Sequence, residues 1–373
     1  MIYLDYQATT PLAPEARAAM MPFLEDRFGN PHSPHRMGRE AAAAIEVARE
    51  QIAEALGPGH EAGRIFFTSG ATEAANWAIR GAAAASQRRG IATIATEHAC
   101  VLDTAQHMAT VGFGLTILGV DAGGMVSPIE AANAIDSDTA LVAAMLVNNE
   151  IGVIQPIAEL AALARGAGAL FFCDAVQGFG RAPVPVAACD MIAISAHKIH
   201  GPKGIGALWL RNDIDLPPLL FGGGQEGGIR SGTLSPALCA GFGAAAKLMT
   251  ARRETDAAHV ETLWDLARTA LGDEWVLNGA ADPRYHGNLN IRAKGIDANR
   301  LISEVRDVAF SAGSACASGS GRPSHVLKAL GLTDAEARSS IRLGFGRYTT
   351  EEELARALAS IRAAAARQRE WAA

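Results

Sequence analysis

Residues 194–210, ISAHKIHGPKGIGALWL, place Lys198 where one apolar run ends and a glycine-containing turn begins, and a second apolar run follows. Apolar runs that are too uniform to alternate are typical of strands covered on both faces of a sheet. In open α/β sheets, ligands bind outside the carboxyl ends of the strands. The stretch therefore predicts a buried sheet with a lysine at its ligand-binding edge.

The same pattern extends through the preceding part of the chain. Short apolar runs alternate with helical segments, and this interleaving indicates an α/β fold with a mostly parallel sheet. The predicted strands are residues 64–68, 91–96, 115–120, 140–147, 169–174, 191–196 and 206–210, and the predicted helices include residues 36–57, 71–85 and 157–165.

After these strands the pattern changes. A long helix over residues 236–272 is followed by shorter helical and apolar segments in mixed order, which predicts a second, smaller α+β unit. Because the usual domain size suggests two domains for 373 residues, we expect a large domain over residues 12–250. Residues 1–11 and 251–373 would form the small domain.

Composition and charge exclude several classes of partner. Hydrophobic residues make up 49% of the chain and charged residues 19%, and the formal net charge is −6. This balance supplies no basic field for nucleic acid or an anionic membrane surface, so we expect neither as a partner. The first residues, MIYLDYQATTP, show no leader pattern, and no apolar run approaches the about 18 residues of a spanning helix. We therefore expect a cytoplasmic protein.

The cysteines are widely spaced. Five cysteines without a C-x-x-C pair favour reduced thiols over a disulfide framework or a zinc site, and we expect no metal. Cys316 differs from the others because SAGSACASGSGRPSH (311–325) surrounds it with small residues, a composition that favours a mobile loop. We predict a reactive thiol at Cys316. We predict structural roles for the remaining cysteines, which lie in or beside apolar runs or helices: Cys100, Cys173, Cys189 and Cys239.

Polar residues follow the ends of five predicted strands. The turn TSGATE (68–73) opens a helix and suits a phosphate, because a helix N-terminus offers unpaired N–H groups and a positive dipole end. The other four positions are His98, Asn149, Asp174 and Lys198. Taken singly, each position has an ordinary explanation as a helix cap, a hydrogen-bonded core residue or a solvated lysine.

Together, these residues supply what a pyridoxal phosphate (PLP) enzyme needs: a phosphate site, an acid for the ring nitrogen, an aromatic ring and an amine. PLP withdraws electrons while its ring nitrogen stays charged, and the Asp174 carboxylate would favour that charge. Desolvation would help Lys198 to lose its proton and act as a nucleophile. We therefore predict PLP held by Lys198.

The chain resembles the cysteine desulfurases of the class V aminotransferase family, in the NifS/IscS-like branch. The resemblance covers nearly the whole length of the chain. It implies a PLP-dependent transferase of fold type I, the aspartate aminotransferase-like fold. In this fold the large domain would bind the cofactor, and the small domain would carry the sulfur-accepting cysteine. The motifs that carry it occur in the family's order: YLDYQATTP, FTSGATEAANWAI, TEHACVLD, VNNEIGVIQPI, DAVQGFG, SAHKIHGPKGIGAL, GGGQEGGIRSGT, SAGSACASG and SSIRLGFGRYTTEEE.

The resemblance implies a role for each matching residue. Lys198 is similar to the family's Schiff-base lysine, and His98 to the histidine that stacks on the pyridine ring and serves in acid–base catalysis. Asp174 corresponds to the partner of the ring nitrogen. The residues that would complete the cofactor site are Asn149 and Gln177 near the phenolic oxygen, and Ala71, Thr72, Ser195, Ala196 and His197 around the phosphate.

Further implied roles concern the substrate and the assembly. Arg342, together with Asn149, would receive the substrate carboxylate, a task that suits a planar guanidinium. Thr233 is similar to the residue that reaches the phosphate from the other subunit, which implies a homodimer. Cys316 lies where the family keeps its sulfur-accepting cysteine. Gln7 departs from the small residue that the resemblance leads us to expect.

The implied reaction removes sulfur from L-cysteine, gives L-alanine and leaves a persulfide on Cys316. The sulfur would pass to an acceptor protein, such as an iron–sulfur scaffold, or into thiolation. Alternatives with the same pocket are a selenocysteine lyase and a class V aminotransferase. GGGQEG (222–227) satisfies the dinucleotide pattern G-x-G-x-x-G, but no acidic residue stands at the about 20-residue offset of a ribose contact. A scaffolding protein without catalysis is a further alternative.

Overall fold

The computed structural model describes residues 1–313 and 323–372. In chain order the strands are β1 (Ile2–Tyr3), β2 (Gly63–Thr68), β3 (Gly90–Ile94), β4 (Gly114–Leu118), β5 (Thr139–Met145), β6 (Leu170–Asp174), β7 (Met191–Ser195), β8 (Gly206–Arg211), β9 (Val276–Leu277), β10 (Asn288–Arg292), β11 (Val308–Ala309), β12 (Ser311–Ala312) and β13 (Ser340–Gly344).

The helices lie between and after these strands. They are α1 (Pro14–Leu24), α2 (Arg36–Leu56), α3 (Ala71–Ala85), α4 (Ala99–Thr110), α5 (Pro128–Ala134), α6 (Ile157–Ala167), α7 (Pro236–Leu271), α8 (Ala298–Glu304), α9 (His325–Ala329), α10 (Asp334–Arg338) and α11 (Glu351–Ala372).

The larger sheet has the strand order β2-β8-β7-β6-β5-β3-β4 among the described residues. Strand β8 runs antiparallel to both of its neighbours, and the other pairs are parallel. The α/β fold with a mostly parallel sheet is therefore confirmed. Strand β8 reverses direction because the connection from β7, residues 196–205, is shorter than the dozen residues that a parallel crossover needs.

Both faces of the larger sheet are covered, as the uniformly apolar runs predicted. Phe171 and Cys173 of β6 face one hydrophobic core, whereas Phe172 between them faces the other. Helix α3 packs across β5, β6, β7 and β8, and its small buried residues, such as Ala74 and Ala78, allow a close approach. This packing fixes the N-terminus of α3 near the carboxyl ends of the strands.

The smaller sheet has the order β12-β13-β10-β9, and a separate core lies between it, α8, α11 and the C-terminal half of α7. Residues Ile2 and Leu4 of the N-terminal arm join this core. Helix α7 continues through the expected boundary at residues 250 and 251. The division into domains at that position stays a prediction.

Four helices of the described residues were not predicted: α1, α4, α5 and α10. Helix α1 carries Pro14 in its first turn and Pro22 inside it, and proline weakens a helical pattern in a sequence. Helix α5 is only one to two turns long. None of the helices in the described ranges combines the length and the apolar composition that crossing a membrane requires.

Candidate active site

A cavity of about 520 Å³ opens at the carboxyl edge of the larger sheet, within the size range of small-molecule sites. It lies where β3, β5, β6 and β7 end, as the positions of polar residues after the apolar runs predicted. The predicted site residues that line this cavity are Ala71, Thr72, His98, Asn149, Asp174, Gln177, Ser195, His197, Lys198 and Arg342.

Two predicted residues that the structure describes are not among those that line the cavity. Ala196 is fully buried in the short 3₁₀ turn Ala196–Lys198, which follows β7 and presents Lys198. Thr233 is exposed in the loop that precedes α7. Cys316 lies outside the described residues, so its position relative to the cavity stays a prediction.

Lys198 reaches across to the N-terminal arm. Its Nζ donates hydrogen bonds to the backbone oxygens of Gln7 at 2.6 Å and Ala8 at 2.8 Å. Burial lowers the pKa of Lys198 to about 7, and the positive charges of Arg181 and Arg342 act in the same direction. The amine can therefore lose its proton near neutral pH, as a nucleophilic lysine must.

Asp174 and His98 form the wall near this lysine. Burial raises the pKa of Asp174, while a hydrogen bond from the backbone N–H of Val176 and the charge of Lys198 favour the carboxylate. The His98 ring accepts a hydrogen bond at Nδ1 from the N–H of Cys100 at 3.1 Å. Burial lowers the pKa of His98, so a neutral ring with its proton on Nε2 is favoured.

The start of α3 provides an anion cradle. Gly70 caps the helix without a side-chain hydrogen bond, and Ala71 and Thr72 line the cavity. The first-turn N–H groups of a helix have no intrahelical partner, so they are available to an anion here. Gly206 faces this turn so closely that an added Cβ would lie 2.8 Å from the Gly70 backbone. His197 contacts Thr9 Oγ1 through Nδ1 at 3.2 Å, and burial lowers the pKa of His197 to about 4.

Arg342 and Asn149 form the opposite wall. The Arg342 side chain is 1% exposed, and its Nη2 pairs with Asp5 Oδ1 at 2.8 Å. Its Nη1 donates to the backbone oxygen of Asn149 at 3.0 Å. Among the described residues, Arg342 Nε and Asn149 Oδ1 are buried without a hydrogen-bond partner. A polar ligand would satisfy them, so this wall fits a carboxylate-bearing substrate and a polar cofactor.

Gln177 is occupied by protein contacts. Its Nε2 donates to the backbone oxygen of Gln7 at 2.9 Å, and its Oε1 accepts a hydrogen bond from Arg181. A contact between Gln177 and the phenolic oxygen of a cofactor stays a prediction.

Two further residues that line this cavity, Gln7 and Cys100, were not predicted as site residues from the sequence. Gln7 is 2% exposed, and its Nε2 donates to the backbone oxygen of Gly287 at 2.8 Å, which ties the N-terminal arm to the loop before β10. Cys100 lines the cavity in the first turn of α4, so a purely structural role does not account for its position. Burial and the negative charge of Asp174 raise the pKa of the Cys100 thiol, which disfavours a nucleophile. Its position two residues after His98 was the available signal.

The class of the protein follows from this fold and site together with a family match. The aminotransferase class-V family matches residues 2–357. The chain therefore belongs to the class-V aminotransferases. The cysteine desulfurase IscS of Rickettsia bellii (strain OSU 85-389) is 46% identical over 363 residues, which cover 95% of this chain and 88% of that protein. Within its class, the chain belongs to the NifS/IscS-like cysteine desulfurases.

Solved structures agree with this assignment. A NifS-like protein superposes with a TM-score of 0.89 at 32% identity, covering 96% of this chain and 98% of its own. SspA in complex with cysteine gives a TM-score of 0.84 at 35% identity, covering 94% of this chain and 100% of its own. The expected fold type I architecture is confirmed, and the selenocysteine lyase and aminotransferase alternatives are not favoured.

The motif GGGQEG (222–227), which satisfies the dinucleotide pattern, does not follow a strand and open a helix as a dinucleotide-binding turn does. GGGQEG lies in the loop between β8 and α7, around the 3₁₀ turn Gln225–Gly228. Glu226 within it pairs with Arg49 Nη2 at 2.7 Å and accepts a hydrogen bond from the N–H of Phe67. These contacts explain the motif as a loop that is fastened to β2.

Proposed function

We propose that this chain removes sulfur from L-cysteine with PLP, releases L-alanine and leaves a persulfide on Cys316. The observation that carries the proposal is the convergence of Lys198, Asp174 and His98 on one cavity, in a chain of the cysteine desulfurase family. A buried amine whose pKa is lowered to about 7 supports a nucleophilic role for Lys198.

The cavity residues fit PLP. The start of α3, with Ser195 and His197, would hold the phosphate, and Asp174 would face the ring nitrogen. Lys198 would attach the cofactor covalently through Nζ. When bound, PLP withdraws electrons from the α-carbon of the amino acid.

Arg342 would orient the substrate through its carboxylate. Its guanidinium already contacts Asp5 and the Asn149 backbone, which fixes its plane, while the unpartnered Nε and Asn149 Oδ1 remain for the ligand. A planar guanidinium that is held in place loses little side-chain entropy on binding a carboxylate. The amino acid would therefore lie between this wall and Lys198.

Lys198 would also move the proton of the reaction. Once free, its neutral amine would take the α-proton of the substrate and hold it at Nζ. The backbone oxygens of Gln7 and Ala8 would accept hydrogen bonds from the ammonium that forms. His98, neutral near pH 7, would exclude water from one face of the cofactor.

The sulfur step needs no external oxidant or reductant. The Cys316 thiolate forms an S–S bond with the substrate sulfur as the substrate C–S bond breaks, and the electron pair of that bond stays with the carbon. A proton on this carbon, together with the return of a proton from the Lys198 ammonium to the α-carbon, completes alanine. One cysteine and one protein thiol thus give one alanine and one persulfide.

We further propose a cytoplasmic homodimer in which Thr233 contacts the phosphate in the partner's site. The exposure of Thr233 and its absence from the residues that line its own chain's cavity support this arrangement. The persulfide would pass to a sulfur-acceptor protein, either an iron–sulfur scaffold or a component of a thiolation pathway.

The test measures both products and the acceptor thiol. Purified protein with PLP, L-cysteine and a reductant should release sulfide and alanine in equal amounts. Cys316→Ser should abolish the persulfide detected by mass spectrometry, yet retain the change in visible absorbance when L-cysteine binds. Cys189→Ser is the matched control, because Cys189 lies at the amino end of β7 and its thiol contacts the Pro185 oxygen. Full cysteine turnover in Cys316→Ser would contradict the assigned role.

A further inference from the structure

We propose that Glu150 is a positioning residue for sulfur transfer, which holds the chain on both sides of residues 314–322 against the cavity wall formed by Asn149 and Arg342. The inference rests on the proposed role of Cys316, which lies in that range. It is carried by hydrogen bonds of described residues in the buried turn after β5.

The turn itself is locked. Asn148 Oδ1 accepts hydrogen bonds from the N–H groups of Glu150 at 2.8 Å and Ile151 at 2.9 Å, which is an Asx turn. Asn148 Nδ2 donates to the backbone oxygen of Thr96 at 2.7 Å. Glu150 is 2% exposed, so its backbone and carboxyl group must find their partners inside the protein.

The carboxyl group of Glu150 holds the C-terminal side of the range. Ser324 Oγ donates to Glu150 Oε2 at 2.5 Å and accepts a hydrogen bond from the N–H of Leu327 at 3.1 Å. Ser324 therefore caps α9 and joins this helix to Glu150. The next residue, His325, bonds through Nε2 to the Glu97 backbone oxygen at 2.8 Å, beside His98.

The backbone oxygen of Glu150 holds the N-terminal side. Asn290 Nδ2 donates to the oxygen of Glu150 at 2.9 Å and to the oxygen of Gly313 at 3.3 Å. Asn278 donates to Asn290 Oδ1 at 2.8 Å, which fixes the orientation of the Asn290 amide. Asn290 is fully buried, so one side chain binds both Glu150 and the last residue before the range.

The neighbouring peptide unit reaches the substrate wall. The Asn149 backbone oxygen accepts hydrogen bonds from Arg342 Nη1 at 3.0 Å and Asn288 Nδ2 at 3.2 Å. The polar groups around Glu150 thus form one buried network between the proposed carboxylate site and both flanks of the Cys316 range. Because unpaired buried polar groups are costly, this network fixes the flanks relative to Arg342.

Loss of this network should affect the position of the Cys316 thiol rather than the binding of PLP. A misplacement of about 1 Å can lower a reaction rate about 100-fold, and the thiol must meet a sulfur atom whose position Arg342 sets. Cutting the network at Glu150 should slow persulfide formation. PLP uptake should be unchanged, because Lys198, Asp174 and the start of α3 do not depend on Glu150.

The experiment compares four variants of the full-length holoenzyme. Glu150→Ala and Ser324→Ala remove the contact, and Glu150→Gln keeps an oxygen that can accept from Ser324. Thr333→Ala is the matched control, because it removes the cap of the next helix, α10, without touching Glu150. Persulfide on Cys316 is followed in a single turnover by mass spectrometry, PLP uptake by absorbance, and hydrogen–deuterium exchange in peptides that cover residues 305–313 and 323–330.

We expect persulfide formation to be slowed about ten-fold or more in Glu150→Ala and Ser324→Ala, with unchanged PLP uptake. Glu150→Gln should stay within about three-fold of wild type, since the hydrogen bond persists, and Thr333→Ala should match wild type. Exchange should rise in residues 323–330 in Glu150→Ala and Ser324→Ala but not in Glu150→Gln, whereas residues 305–313 should stay protected because alanine keeps the backbone oxygen that Asn290 binds.

Two results would overturn the inference. One is a rate of persulfide formation in Ser324→Ala that stays within two-fold of wild type. Because Ser324→Ala is a small substitution, this result decides the question even where Glu150→Ala does not fold. The other is an equal loss of PLP uptake, which would mark a general packing role. Failure of the proposed function is distinct from both, because the wild-type enzyme would then form no persulfide on Cys316.

Discussion

Two buried carboxyl groups follow strands of the larger sheet that have β5 between them, yet their surroundings differ. Asp174 ends β6, and a hydrogen bond from the backbone N–H of Val176 and the charge of Lys198 favour its carboxylate against the burial that raises its pKa. Glu97 follows β3, and burial together with the negative charge of Asp174 holds the pKa of Glu97 well above its usual range. The sign of the neighbouring charge therefore separates the two acids: Asp174 has Lys198 near it, whereas Glu97 has the negative charge of Asp174, so Asp174 is the acid that suits a protonated ring nitrogen.

The largest expected effect comes from removing the Lys198 amine. Lys198→Ala deletes the amine that attaches PLP and moves the α-proton, so sulfide release should fall about 10⁴-fold. Lys247→Ala on the exposed surface of α7 is the control and should match wild type. Sulfide and alanine assays check this, and a residual rate above one-tenth of wild type would contradict the role of Lys198.

Removing the charge of Asp174 should have the next largest effect. Asp174→Asn keeps the size of the side chain but leaves a protonated ring nitrogen without its anion. Breaking a buried charge pair costs about 3–5 kcal/mol, which corresponds to a loss in rate of about 150-fold to 5,000-fold. The measurement is kcat for sulfide release at saturating PLP, and a loss smaller than ten-fold would show that Asp174 does not hold the ring nitrogen.

The pH dependence of PLP loading should sharpen the comparison. The pKa of Lys198 is lowered to about 7, and only the neutral amine attacks the cofactor aldehyde. The loading rate of cofactor-free protein should therefore level off above about pH 8 and fall about ten-fold per unit below about pH 6. Absorbance after rapid mixing measures this rate. In Asp174→Asn the midpoint should move to lower pH, because the Asp174 charge raises the pKa of Lys198; an unchanged midpoint counts against this coupling.

The strand ends were predictable because their signal is local. Uniformly apolar runs identified the buried strands, and parallel strands bring their carboxyl ends to one edge, so His98, Asp174 and Lys198 could be placed together from the sequence. The predicted helix over residues 71–85 coincides with α3, since its alanines and its glycine turn are helix signals.

The contacts that tune these groups were not predictable. Lys198 Nζ meets the Gln7 backbone 191 positions away, and Arg342 pairs with Asp5 337 positions away. No local pattern encodes such pairs, because they depend on how the N-terminal arm lies between the two sheets. The role of Glu150 was hidden for the same reason, since its partners Asn290 and Ser324 come from the other part of the chain.

The smallest effect on activity is expected at Glu97. Its Oε1 accepts a hydrogen bond from the N–H of Met145 at 2.5 Å, and the raised pKa of Glu97 favours a neutral carboxyl group near pH 7. Glu97→Gln preserves both the shape and this acceptor, so the sulfide release rate should stay within about three-fold of wild type. A loss as large as that of Asp174→Asn would mean that Glu97 carries a charge the enzyme uses.

Stability gives the sharper readout for Glu97→Gln. In the unfolded chain a glutamate ionises above about pH 4.5, whereas the folded protein keeps Glu97 protonated to higher pH. The contribution of Glu97 to the stability of the wild type is therefore present below about pH 4.5 and is lost as pH rises toward the folded pKa. Glutamine does not ionise, so the variant does not lose stability with rising pH at this position. Thermal unfolding of the two holoenzymes between about pH 5 and 8 should therefore show Glu97→Gln gaining stability relative to wild type as pH rises. The contrary result is a difference in melting temperature between the two proteins that does not change with pH. It would mean that Glu97 ionises in the folded protein much as it does in the unfolded chain, and the contrast with Asp174 would then be lost.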